Sequence, residues 1–241
     1  MLKAAEASAK LKSLASPDVA ASSARFFKTG PGEYGEGDTF IGVRVPMLRK
    51  LAKDYRDLQL SEIESLVQSP VHEERMLALL VLVQSLTKCN NNHRKTAYDF
   101  YLKNTRHINN WDLVDTSAPS IVGGYLRDKP RKPLIRLAKS PSLWERRIAV
   151  VATQHFIRLD EFDDTLAISR LLLNDGEDLI HKASGWMLRE VGERDEQALV
   201  AFLNEHAAVM PRTMLRYAIE HFQLERRQAY LAEQRQMKCK R

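Results

Sequence analysis

The feature that most constrains this fold is an apolar residue every three or four positions, which recurs in nearly every stretch of the chain. This period is typical of amphipathic helices, and no stretch alternates convincingly over the length of a strand. Similar segments, each a turn followed by an apolar helix, surround Arg75, Trp111, Arg147 and Lys182, at intervals of 36, 36 and 35 residues by subtraction of these numbers. Helix pairs at this interval are typical of HEAT or armadillo repeats. We therefore predict an all-α α-solenoid of HEAT-like helical repeats, one domain over residues 1–241 that ends in a basic tail, 235–241, with a concave groove.

The same periodicity predicts individual helices. One helix begins near Trp111, bends at Pro119 because proline breaks the hydrogen-bond ladder, and ends near Gly123–Gly124. Three further stretches are each predicted to form one helix: Lys95–Leu102, Trp144–Phe156 and Met214–Phe222.

Composition limits the class of protein. The chain has 37 Lys+Arg against 31 Asp+Glu, a net charge of +6 and a pI near 9.3, which favours an acidic partner, most commonly nucleic acid. Cys89 and Cys239 lie far apart without metal-ligand spacing and are interpreted as reduced thiols of a cytoplasmic protein. The longest apolar run, Met76–Val83, is too short to span a bilayer, and the N-terminus lacks a signal-peptide core. We expect a soluble protein without a membrane partner.

Trp111 and Asp115 form the first candidate site. Because they are four residues apart on a predicted helix, they share one face. An indole and a carboxylate side by side suit a developing positive charge, since the acid supplies charge and the ring its negative face. A buried tryptophan beside a capping or salt-bridged aspartate is the alternative interpretation.

Equivalent repeat positions converge on the concave surface of a solenoid. The polar and aromatic residues at these positions are Arg75, Trp111, Asp115, Arg146, Arg147, Lys182, Trp186, Arg189, Arg212 and Arg216. Cations that flank two tryptophans and an acid suit a phosphate backbone along a groove. The alternative is that these charges form solvated faces and interhelical salt bridges.

The segment Thr29–Gly42 contains five glycines and breaks the helical pattern. It lacks the Gly-Lys-Ser/Thr ending of a phosphate loop, so a flexible or DNA-facing loop is the favoured interpretation. Lys28, Tyr34 and Arg44 are weaker candidates for DNA contacts. The nearby His72-Glu73-Glu74 lacks the second histidine of a zinc helix, so no metal is expected.

Three motifs carry a resemblance to a known family. They are the segments Asn110–Asp115, Leu143–Arg147 and Lys182–Glu190, in order and at similar spacing. Together they resemble the AlkD-type DNA glycosylases, the HEAT-like family of DNA alkylation repair enzymes, over about Phe26 to Phe222. The resemblance implies base excision repair in duplex DNA: hydrolysis of the N-glycosidic bond of N3-methyladenine and N7-methylguanine, with no metal or cofactor.

The resemblance also implies roles for individual residues. Asp115 resembles the catalytic carboxylate, and Trp111 and Trp186 resemble two indoles that pack against the sugar of the lesion nucleotide. Arg147 resembles the arginine that holds the backbone near the lesion, although its neighbour Arg146 could be confused with it. The segment Lys28–Gly42 departs from the best-known members, which leaves the lesion spectrum open.

The chemistry expected of such a site is simple. Alkylation at N3 or N7 already makes the purine a good leaving group, so the site needs to stabilise the sugar's oxocarbenium character and position a water. The alternative function is a non-catalytic HEAT-repeat module that binds nucleic acid or a peptide. In either case one chain supplies a complete groove, so we expect a monomer, in the cytoplasm and on the nucleoid when bound to DNA.

Overall fold

The structure is a computed structural model that describes residues 2–87 and 89–239, with the side chains of the last helix described as far as Arg235. Within these residues the regular structure is helical, which confirms the predicted all-α class, and one isolated bridge joins Thr39 to Val71. None of the described helices combines the length and apolar character that crossing a bilayer requires. The α-helices are α1 (Ala4–Lys12), α2 (Pro17–Phe26), α3 (Val45–Asp54), α4 (Leu60–Val67), α5 (His72–Ser85), α6 (Asn91–Lys103), α7 (Trp111–Ala118), α8 (Gly124–Leu126), α9 (Lys132–Ala138), α10 (Leu143–Ala152), α11 (Gln154–Ile157), α12 (Asp163–Leu171), α13 (Asp178–Arg194), α14 (Glu196–His206), α15 (Arg212–Ala218) and α16 (Leu224–Cys239).

The chain divides into two compact units, the N-terminal unit (Met1–Ile121) and the C-terminal unit (Val122–Arg241). The N-terminal unit is built around α5, against which α3, α4 and α7 pack. Every residue of α5 from His72 to Leu82 is buried. A helix that is apolar on all sides is stable where neighbours cover every side, and this explains why the run Met76–Val83 lies at the centre of the unit.

The C-terminal unit is built around α13, which packs against α10, α14 and α15. Gly185 allows the close approach of α15, because a Cβ at this position would lie 2.5 Å from the carbonyl oxygen of Met214 and 2.6 Å from Cβ of Tyr217. The backbones of α13 and α15 therefore touch, and the two helices form one rigid pair. The single domain and the concave groove stay predictions.

The helix type changes at Pro119, where a bend was predicted. α7 ends at Ala118, residues Pro119–Gly123 form a π-helical turn, and α8 continues beyond the glycines. Proline has no N–H to donate to the carbonyl four residues earlier, which here is that of Asp115, so the ladder widens by one residue. The candidate carboxylate thus belongs to the last α-helical turn before a π-helical turn, a feature that is frequent at functional sites.

Three predicted helix boundaries are wrong. The helix predicted over Lys95–Leu102 begins earlier, because the side chain of Asn90 accepts a 2.9 Å hydrogen bond from the backbone N–H of His93 and caps α6. The stretch Trp144–Phe156 forms two helices, α10 and α11, that are separated at Thr153. The helix predicted over Met214–Phe222 is the shorter α15.

Residues that are equivalent in the sequence repeat occupy the same position within their helices. Asp115, Arg147, Lys182 and Arg216 are each the fifth residue of their own helix, in α7, α10, α13 and α15. Three of these equivalent positions carry a cation and one carries an acid. The sign of the charge at the fifth position therefore differs between α7 and the other three helices.

Candidate functional site

The candidate reaction centre of the N-terminal unit begins at the cap of α7. The Asn110 side chain accepts a 2.8 Å hydrogen bond from the backbone N–H of Trp111, so the helix begins at that residue. Trp111 and Asp115 then lie one turn apart on the same face, and both are half-buried, whereas Leu113 and Val114 point into the core. An acid and an indole, each partly accessible, therefore share one face of α7.

Three contacts fix the orientation of the Trp111 ring. Phe27 stacks on it with ring centroids 5.0 Å apart, and Phe26 meets it edge-on at 5.8 Å. The indole Nε1 donates a 3.2 Å hydrogen bond to the hydroxyl of Tyr34, a residue of the glycine-rich segment. Phe26 is 65% exposed, so the aromatic surface around Trp111 continues into solvent.

The charge of the Asp115 carboxylate affects the pKa of a buried residue, Tyr101. Tyr101 is fully buried, and its hydroxyl is 2.9 Å from the hydroxyl of Ser117, two residues after Asp115 in α7. Burial raises the pKa of Tyr101 strongly, and the negative charge of Asp115 raises it further. The hydroxyl of Tyr101 therefore stays protonated near the acid.

The aromatic stack continues inward to a histidine held between two acids. Phe40 stacks on Phe27 at 5.0 Å and on His72 at 4.4 Å. The two ring nitrogens of His72 lie 3.0 Å from Asp38 and 2.9 Å from Asp112, and the residue is 2% exposed. Burial lowers the pKa of His72, but the hydrogen bonds with Asp112 and Asp38 outweigh burial and leave the pKa raised. The ring of His72 thus joins the glycine-rich segment to α7.

Asp38 is the centre of this network. Its carboxylate accepts hydrogen bonds from Arg75 at 2.5 Å and from the Asn110 side chain at 3.2 Å, in addition to His72. Burial raises the pKa of Asp38, but the hydrogen bond with His72 and the charge of Arg75 leave it below its ordinary value. The network therefore fixes the cap of α7 from below.

Arg75 does not fit the expectation that it contacts DNA. Its side chain is 5% exposed and donates to Asp38 and to the backbone carbonyl of Ser69. If the guanidinium of Arg75 turned away from Asp38, the carboxylate would stay buried without its cation, which is costly. Arg75 therefore stabilises the interior of the N-terminal unit.

The glycine-rich segment is fastened at its end by Glu73. The buried carboxylate of this residue accepts hydrogen bonds from the backbone N–H groups of Ile41, Gly42 and Val43, the shortest at 2.7 Å from Gly42. Gly42 has φ +84°, and a Cβ there would lie 2.1 Å from the carbonyl oxygen of Ser16. Tyr34, Asp38 and Gly42 are thus each held by residues outside the segment, and the flexible or DNA-facing loop stays a prediction.

The cations of the C-terminal unit differ in what they contact. Arg146 is bound to Asp175 at 2.6 Å and to two backbone carbonyls, and Arg147 is buried and donates to the carbonyl of Leu179 at 2.7 Å. Lys182 pairs with Asp178 at 2.8 Å. The alternative named interhelical salt bridges and solvated faces, whereas Lys182 pairs within its own helix, and the predicted DNA contacts stay predictions.

Trp186 and the remaining predicted cations have varied surroundings. The Trp186 indole N–H donates to Glu190 at 2.9 Å, and Arg189 is bonded to Glu220. Arg212 donates to the backbone carbonyl of Leu231. By contrast, three of the cations predicted to contact DNA are exposed, namely Lys28, Arg44 and Arg216.

The sequence patterns missed the network below α7. Its members are Asp38, His72, Glu73, Asn110 and Asp112. The signal was the four consecutive charged residues that begin α5, directly before an apolar run, since charges in such a place need buried partners. Within residues 2–87 and 89–239, no cluster of histidine, cysteine and acidic side chains is arranged to hold a metal ion.

The fold and this site define a class: an all-α repeat protein with a half-buried acid beside a fixed indole. The sequence model described as "DNA alkylation repair enzyme" matches residues 7–222. The chain belongs to the DNA alkylation repair enzyme family, whose fold is HEAT-like.

A solved structure supports the fold. A protein described as a predicted DNA alkylation repair enzyme from Enterococcus faecalis superposes with a TM-score of 0.68 at 18% sequence identity, covering 87% of this chain and 97% of the other. No curated protein sequence matches the chain. Family membership supports a role in DNA alkylation repair and DNA as the substrate.

Proposed function

We propose that the protein is a DNA glycosylase that hydrolyses the N-glycosidic bond of cationic alkylated purines, N3-methyladenine and N7-methylguanine, in duplex DNA. The observation that carries the proposal is the pair on α7: Asp115, half-buried and one turn from an indole that Phe26, Phe27 and Tyr34 hold in place. Reaction centres need such preorganised groups, because a group that must reorient during the reaction stabilises the transition state less.

The reaction suits this pair. As the bond between C1′ and the purine nitrogen breaks, its electrons neutralise the cationic base, and positive charge develops on the deoxyribose. The carboxylate of Asp115 stabilises that charge and accepts the proton of the water that adds to C1′. The products are the neutral methylated purine and an abasic site, and no metal or cofactor takes part.

Trp111 contributes to the same charge through its ring face. A cation over an indole is stabilised by roughly 0.5–2 kcal/mol. The contribution depends on the orientation of the ring, which is why the stack with Phe27 and the hydrogen bond to Tyr34 support the proposal.

Binding of the DNA rests on charge. The chain carries a net charge of +6, and Lys28 and Arg44 are exposed in the same unit as Asp115. Cations beside an acidic site hold the phosphate backbone that the acid alone would repel.

The experiment is release of methylated purine from alkylated duplex DNA by the wild-type protein and by Asp115→Asn. Asp99→Asn is the matched control, because Asp99 is an exposed acid of α6 that pairs with Lys95. We expect Asp115→Asn to reduce the rate on the order of 10²–10³-fold, as for the loss of one preorganised electrostatic group. Equal release by both variants would remove the proposed role of Asp115. Tight, salt-dependent binding without any release would favour a non-catalytic binding module.

A further inference from the structure

A cleft of about 320 Å³ lies within the C-terminal unit, between α13, α15 and α16. Its lining residues are Lys182, Thr213, Arg216, Tyr217, Glu220 and Arg227. Three helices thus contribute cations or hydroxyl groups to one concave surface.

The cleft carries uncompensated positive charge. Its one acid, Glu220, is bonded to Arg189, and Lys182 pairs with Asp178. Among the residues that the structure describes, no carboxylate lies within ion-pair distance of the guanidinium groups of Arg216 and Arg227. Two guanidinium groups without acids, facing one cleft, favour an anionic ligand.

Neighbouring arginines add further positive charge near the cleft. Burial lowers the pKa of Arg212, and the positive charges of Arg235 and Arg216 lower it further. Like charges that crowd in this way repel each other, and an anion would relieve the repulsion.

The frame of the cleft is rigid. Tyr217, which lines the cleft, has its Cβ directly over Gly185 of α13, where an added Cβ would lie 2.6 Å away. Because the backbones of α13 and α15 touch at this point, packing fixes the spacing between the two backbones that carry Lys182 and Arg216. Binding of a ligand between these two helices therefore requires no ordering of their backbones.

We propose that this cleft binds one phosphodiester group of the DNA backbone, with Arg227 of α16 as a direct contact. The proposal rests on the proposed DNA-binding function, but it adds a site and an element, α16, that no repeat motif predicted. The guanidinium groups of Arg216 and Arg227 donate to the two non-bridging oxygens, and the hydroxyl of Tyr217 is a further donor at the same surface, whereas the hydroxyl of Thr213 is hydrogen-bonded to Asp178.

The test compares Arg227→Gln with Arg226→Gln. Arg226 is the neighbour of Arg227 on α16, but it is bonded to Glu196, stacks on the ring of Phe222 and lies outside the cleft. The dissociation constant of undamaged duplex DNA is measured at several salt concentrations. Arg227→Gln is expected to weaken binding about tenfold at low salt and to reduce the slope of log K against log[salt] by about 0.9, the loss of one phosphate contact. Arg226→Gln is expected to keep both the affinity and the slope.

Two results would overturn the site. One is an unchanged slope and affinity for Arg227→Gln, confirmed with Arg216→Gln. The other is calorimetric binding of inorganic phosphate that depends on Arg227 while the DNA slope stays that of the wild type, which would assign the cleft to a free anion. Because undamaged DNA is used, the result does not depend on base release. If the protein releases bases but Arg227→Gln leaves the salt dependence of DNA binding unchanged, the glycosylase proposal stands and the proposed phosphate site is wrong.

Discussion

The indole N–H of Trp111 donates to the hydroxyl of Tyr34, 3.2 Å away, although 77 residues separate the two along the chain. The same hydroxyl lies 3.4 Å from the backbone carbonyl of Phe26, to which it donates. Tyr34 therefore joins the end of α2 to the first residue of α7. The glycine-rich segment supports the candidate reaction centre in this way, and does more than connect two helices.

Replacement of Tyr34 by phenylalanine removes this hydrogen bond and leaves the ring in place. We expect the single-turnover rate of base release to fall by roughly 2–10-fold, because a neutral hydrogen bond contributes about 0.5–1.5 kcal/mol. The affinity for duplex DNA is expected to stay unchanged, since the hydroxyl positions Trp111. The control is Tyr55→Phe at the end of α3. A loss of affinity at an unchanged rate would contradict the positioning role.

Replacement of Asp38 is expected to lower the free energy of unfolding. Asp38→Ala leaves Arg75 and His72 buried without the carboxylate, and breaking a buried ion pair costs about 3–5 kcal/mol of the free energy of unfolding. Urea denaturation followed by circular dichroism measures the change. Asp57→Ala, at an acid whose side chain is 80% exposed, is expected to change the same free energy by less than about 0.5 kcal/mol. Similar values for the two variants would show that the network does not stabilise the fold.

The raised pKa of His72 predicts a loss of stability at alkaline pH. The charged groups that face the ring are Asp38, Asp112 and Arg75, and the hydrogen bonds with the two acids outweigh burial. Because the folded state holds the proton more tightly than the unfolded state, the contribution is complete below the ordinary value of about 6.5 and is lost as pH rises through the higher folded pKa. The free energy of unfolding of the wild type should therefore decline above about pH 6.5.

The measurement is a series of urea denaturation curves from pH 6 to pH 9, for the wild type and for His72→Gln. Glutamine carries no titrating proton, so the variant is expected to lack this part of the decline. Parallel pH profiles would show that His72 is neutral in the folded protein.

Much of the fold followed from local patterns, whereas the network did not. The all-α class followed from the apolar period, and the start of α7 and the shared face of Trp111 and Asp115 followed from residue spacing alone. By contrast, the contacts of Asp38 with His72 and Asn110 span 34 and 72 residues of chain, so no local window contains both partners.

The cations show a second limit of sequence patterns. Arg75, Arg146 and Arg216 occupy similar places in similar segments, yet the first is buried on Asp38, the second is bound to Asp175 and the third is exposed. Whether an arginine is paired depends on an acid from a distant segment. Periodicity locates the helix and does not locate that acid.

Gly185 offers a test of the packing between α13 and α15. Gly185→Ala places a methyl group 2.5 Å from the carbonyl oxygen of Met214, and overpacking of this kind costs about 1–3 kcal/mol. Gly176→Ala is the matched control, because a Cβ at Gly176 meets nothing within 4 Å. Thermal denaturation is expected to show a lower Tm for Gly185→Ala alone. Equal Tm values would mean that the two helices separate easily.

The shared register of Asp115, Arg147, Lys182 and Arg216 suggests how a modular scaffold acquires chemistry. Because the four side chains occupy the same position in their helices, one substitution at this position reverses the local charge from positive to negative. Arg216, which is exposed, accepts such a substitution more readily than the buried Arg147. An aspartate at position 216 is therefore a route to designed variants that carry an acid at a second, equivalent position.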